Sequence, residues 1–149
     1  MELKIESAKT EDAEKIRIAQ RLAFEDCKNK YKFCPAYDIS TEALEKFLTE
    51  NYAYKIMIED KIVGSIFVCK LSHRGYELNT MTIHPGYQNM GIGSRAIEFA
   101  ESEFPDAETW TLETPEGELR NRHLYEKYGY KVVEKTYINE FLTLLKYMK

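Results

Sequence analysis

The chain has 149 residues, of which 44% are hydrophobic, and a formal net charge of −4. This length and apolar content suit a single domain, residues 1–149, with a core of its own. No run of about 18 apolar residues is present, which excludes a membrane-spanning helix. The acidic balance also gives no electrostatic support to nucleic-acid binding.

The cysteines and histidines predict neither a metal site nor a disulfide framework. Cys27, Cys34 and Cys69 lack metal-ligand spacing, and the three histidines are scattered. An odd number of cysteines argues against a set of disulfides. The charged, alternating start Met1–Glu6 is unlike a signal peptide. We therefore expect reduced thiols and a cytoplasmic location.

The first third of the sequence has the pattern of one strand followed by two helices. These elements are predicted over Leu3–Glu6, over Thr10 to about Phe24 or Cys27, and over Thr41–Glu50. Thr10 and Ser40 are the expected N-caps. The apolar face of the first helix is predicted to consist of Ala13, Ile16, Ile18, Ala19, Leu22 and Ala23. The segment between Cys27 and Ile39 shows no periodicity and is predicted as a loop.

The middle of the chain alternates in the manner of an antiparallel meander. Its strands are predicted over Tyr54–Glu59, Lys61–Leu71 and Tyr76–His84. Gly64, inside the second strand, marks a bulge or a close contact. Pro85 ends the third strand.

The last third predicts a helix, a strand, a second helix and a hairpin. The helix is predicted from Gly91 to about Phe104 and the strand over Thr109–Thr114. The second helix is predicted over Glu118–Tyr128, with Gly129 as its C′ glycine, and the hairpin strands over Tyr130–Lys135 and Phe141–Met148. A strand–helix–strand unit favours a parallel, right-handed crossover between Tyr76–His84 and Thr109–Thr114. The whole pattern predicts an α/β fold with a mixed sheet and helices on both faces.

A glycine loop joins the third meander strand to its helix. It reads Gln88-Asn89-Met90-Gly91-Ile92-Gly93-Ser94. A helix start has unpaired N–H groups and a partial positive charge, and glycine lets a ligand approach the backbone. The loop thus suits a phosphate or pyrophosphate bound by main chain; alternatively, its glycines only make a turn. It lacks the lysine of the nucleotide P-loop, and Ala96 replaces the third glycine of the dinucleotide fingerprint.

Two segments resemble motifs of one family. Ile83–Ser94, with its proline followed by Gln-x-x-Gly-x-Gly, resembles the acetyl-coenzyme A (acetyl-CoA) signature of the GNAT N-acetyltransferase superfamily. Asn121–Tyr130, with Leu-Tyr-Glu-Lys-Tyr-Gly at its centre, is similar to the family's later motif. The resemblance extends from about Lys61 to Lys149. It implies the GNAT acyl-CoA N-acyltransferase fold, with a mostly antiparallel sheet of six to seven strands and one splayed parallel pair.

The resemblance implies acetyl-CoA as the acetyl-donor cosubstrate and no metal. The slot between the splayed strands would hold the pantetheine, paired to the backbone around Met81 and Ile83. The pyrophosphate would lie on the loop residues Gln88, Asn89, Met90, Gly91, Gly93 and Ser94. Asn121 would contact the coenzyme from the far side. The family often has a further asparagine three residues earlier, where this chain has Glu118.

The resemblance also implies the catalytic groups. Tyr125 matches the usual general acid, which protonates the leaving thiolate. Glu77 lies where some members place a general base; Glu113 and a water chain are the alternatives. A base is needed because an amine with a pKa of ~10.4 is neutral in only about one molecule in ~2,500 at pH 7. No cysteine has a histidine nearby in the sequence, which favours direct attack over an acyl-cysteine.

In the resembling family the first helix–loop–helix region lies over the acceptor site. Tyr31, Phe33 and Tyr37 are therefore candidates for acceptor contacts, with ordinary surface packing as the alternative. The expected reaction is acetyl transfer to a primary amine of a small molecule or peptide. The competing hypotheses are a non-catalytic acyl-CoA-binding regulatory module and a transferase of a longer acyl group. A homodimer through the C-terminal strands is plausible, because exposed strand edges can pair.

Overall fold

Seven strands form one mixed sheet in the computed structural model, which describes residues 2–149. The strands are, in chain order, β1 (Leu3–Ser7), β2 (Tyr52–Ile58), β3 (Lys61–Ser72), β4 (Gly75–Ile83), β5 (Thr109–Pro115), β6 (Lys131–Asn139) and β7 (Leu142–Met148). They lie in the order β1-β2-β3-β4-β5-β7-β6. Every neighbouring pair is antiparallel except β4–β5, which is parallel. The predicted fold class is confirmed.

Helices cover both faces of this sheet. They are α1 (Ala13–Tyr31), α2 (Pro35–Asp38), α3 (Thr41–Glu50), α4 (Ile92–Glu103) and α5 (Leu119–Lys127). On one face, Ile16 of α1 and Leu44 of α3 pack with Phe67 of β3. On the other face, Ala96 of α4 and Tyr125 of α5 belong to the larger core cluster. Within residues 2–149, no helix has the length and apolar character needed to cross a membrane.

The meander of β2, β3 and β4 agrees with the prediction to within two residues at each end. Gly64 has both of the expected features. The β2–β3 register shifts between Ile56 and Met57, directly beside it. A Cβ atom at Gly64 would also collide with the carbonyl oxygen of Thr82 on β4. Glycine at this position therefore allows β3 and β4 to approach each other closely.

The prediction for the first helix was wrong at both ends. The chain enters it through a 3-10 turn, Thr10–Asp12, where Asp12 accepts the backbone N–H of Lys9 at 2.8 Å, so Thr10 is not the cap. The helix then continues past Phe24 and Cys27 to Tyr31, which is buried. Its buried face also differs from the predicted one. Ile18 and Leu22 are exposed, whereas Ala13, Ile16, Ala19 and Gln20 are buried.

The segment predicted as a loop contains the short helix α2. Pro35 occupies the first turn, where its missing N–H costs nothing. The backbone N–H groups of Tyr37 and Asp38 bond to the carbonyl of Cys34. Gln20 of α1 donates to the carbonyl of Ala36 at 2.8 Å. A side chain of α1 thus holds α2 in place, and this contact depends on the fold rather than on local periodicity.

The first strand of the C-terminal hairpin is longer than predicted. β6 continues from Lys131 to Asn139 rather than ending at Lys135. β7 lies between β5 and β6, so β6 alone forms that edge of the sheet. The preceding helix, α5, matches its prediction to within one residue at each end, and Gly129 has the positive φ of a C′ glycine, +93°.

Candidate active site

The parallel strands β4 and β5 pair only over their first residues. Gly75, Tyr76 and Glu77 face Thr109, Trp110 and Thr111. Beyond that point β4 continues to Ile83 and β5 to Pro115, but the two strands no longer pair with each other. The β3–β4 register shifts at the same level, where Asn79 is the extra residue, and such a bulge bends a strand. The two strands therefore splay apart, as predicted, and a cleft opens between their C-terminal halves.

The edge of β4 that lines this cleft has peptide groups that pair with no neighbouring strand. The N–H of His84 donates to Val63 of β3 at 2.7 Å. Because peptide directions alternate along an antiparallel pair, the groups of Met81 and Ile83 point away from β3, into the cleft. The carbonyl of Ile83 accepts a bond from the Gln88 side chain at 3.3 Å. The peptide groups of Met81 and Ile83 therefore line the cleft between β4 and β5.

The glycine loop presents a run of unpaired backbone donors. A 3-10 turn, Pro85–Tyr87, leads into it, and α4 begins at Ile92. The first helical bond is that of the Arg95 N–H to the carbonyl of Gly91, at 3.2 Å. Among residues 2–149, the six consecutive N–H groups of Asn89–Ser94 find no protein acceptor. Such a concentration of donors at a helix start suits an anionic ligand.

Glycine is favoured at the two glycine positions of this loop for different structural reasons. Gly91 has φ +77°, and a Cβ there would meet nothing within 4 Å, so its backbone conformation is what favours glycine. At Gly93 a Cβ would lie 3.0 Å from Leu124 of α5 and close to Ile83 and Met81 of β4. Gly93 therefore lets the start of α4 pack tightly against α5 and β4.

Tyr125 is a buried tyrosine with an uncommitted hydroxyl. It is only 8% exposed, and burial raises its pKa to about 12. Its ring packs near those of Tyr130 and Tyr147, at 6.2 and 6.1 Å. Tyr130 donates to Glu101 and Tyr147 to Glu126, whereas the hydroxyl of Tyr125 has no hydrogen-bond partner within residues 2–149. Tyr125 therefore keeps its proton at neutral pH, and no protein acceptor engages it.

The two candidate base carboxylates lie on the other side of the sheet from Tyr125. Tyr76 and Leu78 belong to the core under α4 and α5, so alternation turns Glu77 towards the α1 face. Glu77 is half-buried and accepts a bond from Asn79 at 2.9 Å. Glu113, farther along β5, is exposed. Tyr125 on α5 and the two carboxylates on β4 and β5 thus lie on opposite faces of the sheet.

Asn121 and Glu118 have separate partners. Asn121 of α5 donates to the hydroxyl of Thr114 on β5, at 3.5 Å. Glu118, which precedes α5, accepts bonds from Tyr31 at 2.6 Å and Lys30 at 3.1 Å. The residue that departs from the family pattern therefore ties the end of α1 to the start of α5.

The three aromatic residues predicted to contact the acceptor do not form one cluster. Tyr31 is buried, and burial together with its bond to Glu118 raises its pKa. The hydroxyl of Tyr37 accepts a bond from Arg21, whose guanidinium lies over the tyrosine ring. Phe33 is exposed. Tyr31 lines a pocket together with residues of the β6–β7 hairpin.

The sequence analysis missed residues of the β6–β7 hairpin. Tyr137 and Phe141 line the same pocket as Tyr31, on the two arms of the turn. Asn139 in that turn donates to the carbonyl of Tyr31 at 3.0 Å. The signal available in the sequence was a pair of aromatic residues beside a polar turn. Nothing local shows that this turn reaches α1.

The family assignment agrees with this geometry. The family model described as an acetyltransferase (GNAT) domain matches residues 50–132, which is more than half of the chain. The chain belongs to this family. The matched range includes the splayed strands, the glycine loop and Tyr125. Comparison with curated proteins gives no match. In the described residues 2–149, no group of three or more histidine, cysteine or acidic side chains could hold a metal ion.

Solved acetyltransferase structures share the fold over the whole chain. PaiA N-acetyltransferase from Thermoplasma acidophilum, solved in complex with coenzyme A, has a TM-score of 0.80 at 17% identity, covering 98% of each chain. The ribosomal-protein-S18-alanine N-acetyltransferase from Escherichia coli has a TM-score of 0.82 at 15% identity, covering 99% of this chain and 92% of its own. An N-acetyltransferase from Staphylococcus aureus Mu50 has a TM-score of 0.82 at 13% identity, covering 100% of this chain and 98% of its own. At such identities the likeness establishes the fold.

Proposed function

We propose that this GNAT acetyltransferase uses acetyl-CoA to acetylate a primary amine of a small molecule or peptide by direct attack. The observation that carries the proposal is the run of free N–H groups Asn89–Ser94 beside the open edge of β4. Adjacent donors at a helix start suit the two phosphates of a pyrophosphate. A free strand edge next to them suits the amide-bearing arm of a coenzyme, because an extended amide chain can pair there as an added strand.

In this proposal the coenzyme is held mainly by backbone groups. Met81 and Ile83 offer their peptide groups, and Asn89–Ser94 offer their N–H groups. Gln88 binds the carbonyl of Ile83, so its side chain positions the loop. Asn121 approaches from α5, where Thr114 holds its amide. A structural relative that was solved with coenzyme A supports this choice of donor.

The chain's own residues move two protons during the transfer. The amine nitrogen forms a bond to the acetyl carbon, the carbon–sulfur bond breaks, and Tyr125 donates its proton to the departing sulfur. Glu77 accepts the proton that the amine loses, with Glu113 and a water chain as the alternatives. Such a base offsets the roughly 4.6 kcal/mol needed to deprotonate an amine with a pKa of ~10.4 at pH 7.

The test combines binding and turnover. The protein is titrated calorimetrically with acetyl-CoA and, separately, with acetyl-pantetheine, which lacks the pyrophosphate. A thiol-release screen then tests amines of several classes as acceptors. Tighter binding of acetyl-CoA, with thiol release for one amine class, would support the proposal. Binding without release would favour a regulatory module, and release from longer acyl-CoA donors alone would favour another acyl group. Equal affinity for both ligands would contradict the role given to the loop.

We further propose a cytoplasmic homodimer. The three cysteines are free thiols, in keeping with a reducing compartment. β6 forms one edge of the sheet, and its residues from Lys131 to Tyr137 are all exposed, including Val133. A long exposed edge of this kind can pair with a second copy. Light scattering of the wild type and of Val133→Lys tests this: a dimer that dissociates in the variant is expected, and a monomeric wild type would contradict it.

A further inference from the structure

Tyr147 of β7 is a fully buried residue whose hydroxyl bonds two side chains of α5. Its exposed fraction is 0%. The hydroxyl accepts a hydrogen bond from Nε of Arg122 at 3.1 Å and donates one to the carboxylate of Glu126 at 2.7 Å. Arg122 and Glu126 are four residues apart, so they lie on the same face of the helix, one turn from each other. One phenol of the sheet therefore holds two successive turns of α5.

Charge and protonation both favour these bonds. A hydrogen bond to an ionised guanidinium or carboxylate is roughly twice as strong as one between neutral groups. Burial, together with the bond to Glu126, raises the pKa of Tyr147, so the phenol keeps the proton that it donates. Arg122 also donates to the carbonyl of Glu116 at 3.1 Å, in the turn before α5. Arg122, Glu126 and Tyr147 thus form one hydrogen-bonded unit, called the α5 anchor below.

Tyr125 lies between the two helical members of the α5 anchor and has no polar anchor of its own. Its hydroxyl has no hydrogen-bond partner within residues 2–149, and its ring packs near those of Tyr130 and Tyr147. Among the residues of α5, Tyr125 alone is buried. Apolar packing therefore holds this helix mainly at one position, which leaves its rotation about its own axis to its hydrogen bonds.

This rotation decides where the hydroxyl of Tyr125 lies. The bonds to Tyr147 are shorter than the bond that Asn121 of α5 donates to Thr114 of β5, at 3.5 Å. The tip of a helical side chain lies about 5 Å from the helix axis, so a rotation of about 10° moves it by about 1 Å. Misplacing a catalytic group by that distance can reduce turnover by about 100-fold.

We infer that Tyr147 is a positioning residue, which sets the rotation of α5 and thereby directs the hydroxyl of Tyr125 towards the departing sulfur. The inference rests on the proposed function, in which Tyr125 is the acid, and adds to it a residue from the last strand of the sheet. A phenylalanine would fill the same space in the core. The hydroxyl of Tyr147, rather than its ring, therefore has this role.

Tyr130 provides a matched control for a test by turnover. It is also buried and its ring also packs near Tyr125, but its hydroxyl donates to Glu101 of α4 rather than to α5. Tyr147→Phe should lower kcat about tenfold, while the affinity for acetyl-CoA in calorimetry stays unchanged. Tyr130→Phe should retain most of the wild-type kcat, even where urea unfolding shows the same loss of stability in both variants.

Glu126 tests the α5 anchor from the helix, and it serves if Tyr147→Phe does not fold. Its side chain is exposed, so substitutions there leave the core intact. Glu126→Ala should lower kcat about fivefold or more, whereas Glu126→Gln, which keeps an oxygen that can accept the phenol, should retain most of it. Because the two residues act as a unit, Glu126→Ala should cause little further loss of kcat in the Tyr147→Phe protein.

The placement of Tyr125 can also be observed without turnover. Tyr125 is labelled as meta-fluorotyrosine at this position alone, and its fluorine NMR signal is recorded in each protein. We expect one narrow signal in the wild type and in Tyr130→Phe. In Tyr147→Phe the signal should be broadened or divided, because the helix samples more than one rotation.

Two results would overturn the inference. One is a kcat of Tyr147→Phe equal to that of Tyr130→Phe; the other is an unchanged fluorine signal in Tyr147→Phe. Either result would leave the transferase itself standing if the wild type releases thiol. Failure of the proposed function would look different: a wild type that releases no thiol from any amine, or Tyr125→Phe with normal kcat, would contradict the acid role, and the fluorine signals would still show whether Tyr147 orients Tyr125.

Discussion

The phenol of Tyr31 donates a 2.6 Å hydrogen bond to the carboxylate of Glu118, across 87 positions of the sequence. Tyr31 ends α1, on the side proposed for the acceptor, and Glu118 precedes α5, which contains Tyr125. The bond therefore joins the acceptor side of the molecule to the helix that provides the proposed acid. Lys30 binds the same carboxylate and neutralises it.

Removing this bond should affect both stability and acceptor binding. In Tyr31→Phe the half-buried carboxylate of Glu118 loses a donor, and a hydrogen bond to a charged group contributes about 1.5–3 kcal/mol. We expect the free energy of unfolding in urea to fall by about 2 kcal/mol and the KM for the amine to rise. The KM for acetyl-CoA should stay the same, because no loop residue is touched.

Tyr37→Phe is the matched control for Tyr31→Phe. It removes a hydroxyl from the same region, but that hydroxyl bonds the exposed Arg21, and the guanidinium can still stack on the ring. Its unfolding free energy should change by less than about 0.5 kcal/mol. Equal losses of stability in the two variants would contradict the linking role of the Tyr31–Glu118 bond.

Tyr125→Phe should separate chemistry from binding. The hydroxyl makes no hydrogen bond within residues 2–149, so its removal should cost little stability. If Tyr125 is the general acid, kcat should fall about 100-fold or more, while the acetyl-CoA affinity measured by calorimetry stays unchanged. Tyr128 provides the control, because its hydroxyl donates to Glu98 instead. Tyr128→Phe should retain most of the wild-type kcat. A Tyr125→Phe enzyme with normal kcat would rule out the acid role.

The pH dependence of the reaction should reflect the raised pKa of Tyr125. Burial holds that pKa at about 12, above the ordinary value of 10, so the phenol stays protonated throughout the neutral and alkaline range. The acid is therefore not lost as pH rises from 7 to 10, while more of the amine becomes neutral. We expect kcat/KM to increase with pH up to about 10. A decline that begins near pH 8 or 9 would point to another acid.

Local patterns were enough to predict the frame of the cleft. The meander, the glycine loop and the parallel crossover each depend on residues close in sequence, and each was found within about two residues of its predicted position. Gly91 is an example, since its positive φ is a property of one turn. The same holds for Gly129 at the end of α5.

Long-range contacts decided what the sequence could not predict. α1 is longer than expected because Tyr31 at its end is buried against a turn and a hairpin far along the chain. Gln20 is buried because its side chain bonds the carbonyl of Ala36. A polar residue at this position of the helix therefore did not mark an exposed face. The insertion of β7 beside β5 likewise depends on pairing between distant strands. The pocket of Tyr31, Tyr137 and Phe141 is assembled entirely from such contacts.

Paired alanine substitutions in the glycine loop should distinguish its two structural roles. Gly91→Ala places a side chain in open space but strains a backbone with φ +77°, at a cost of about 1–2 kcal/mol. Because that strain disturbs the direction of the free N–H groups, we expect acetyl-CoA to bind about tenfold more weakly. Acetyl-pantetheine, which lacks the pyrophosphate, should bind both proteins equally.

Gly93→Ala should behave differently, because its Cβ would press on Leu124 at 3.0 Å while the backbone conformation suits any residue. The expected loss is of stability, about 1–3 kcal/mol from overpacking, and it should appear in urea unfolding without coenzyme. Leu124→Ala in the same protein makes room for the new methyl group and should recover part of the loss relative to Leu124→Ala alone. If Gly91→Ala leaves coenzyme affinity unchanged, the free N–H groups of the loop do not bind the pyrophosphate.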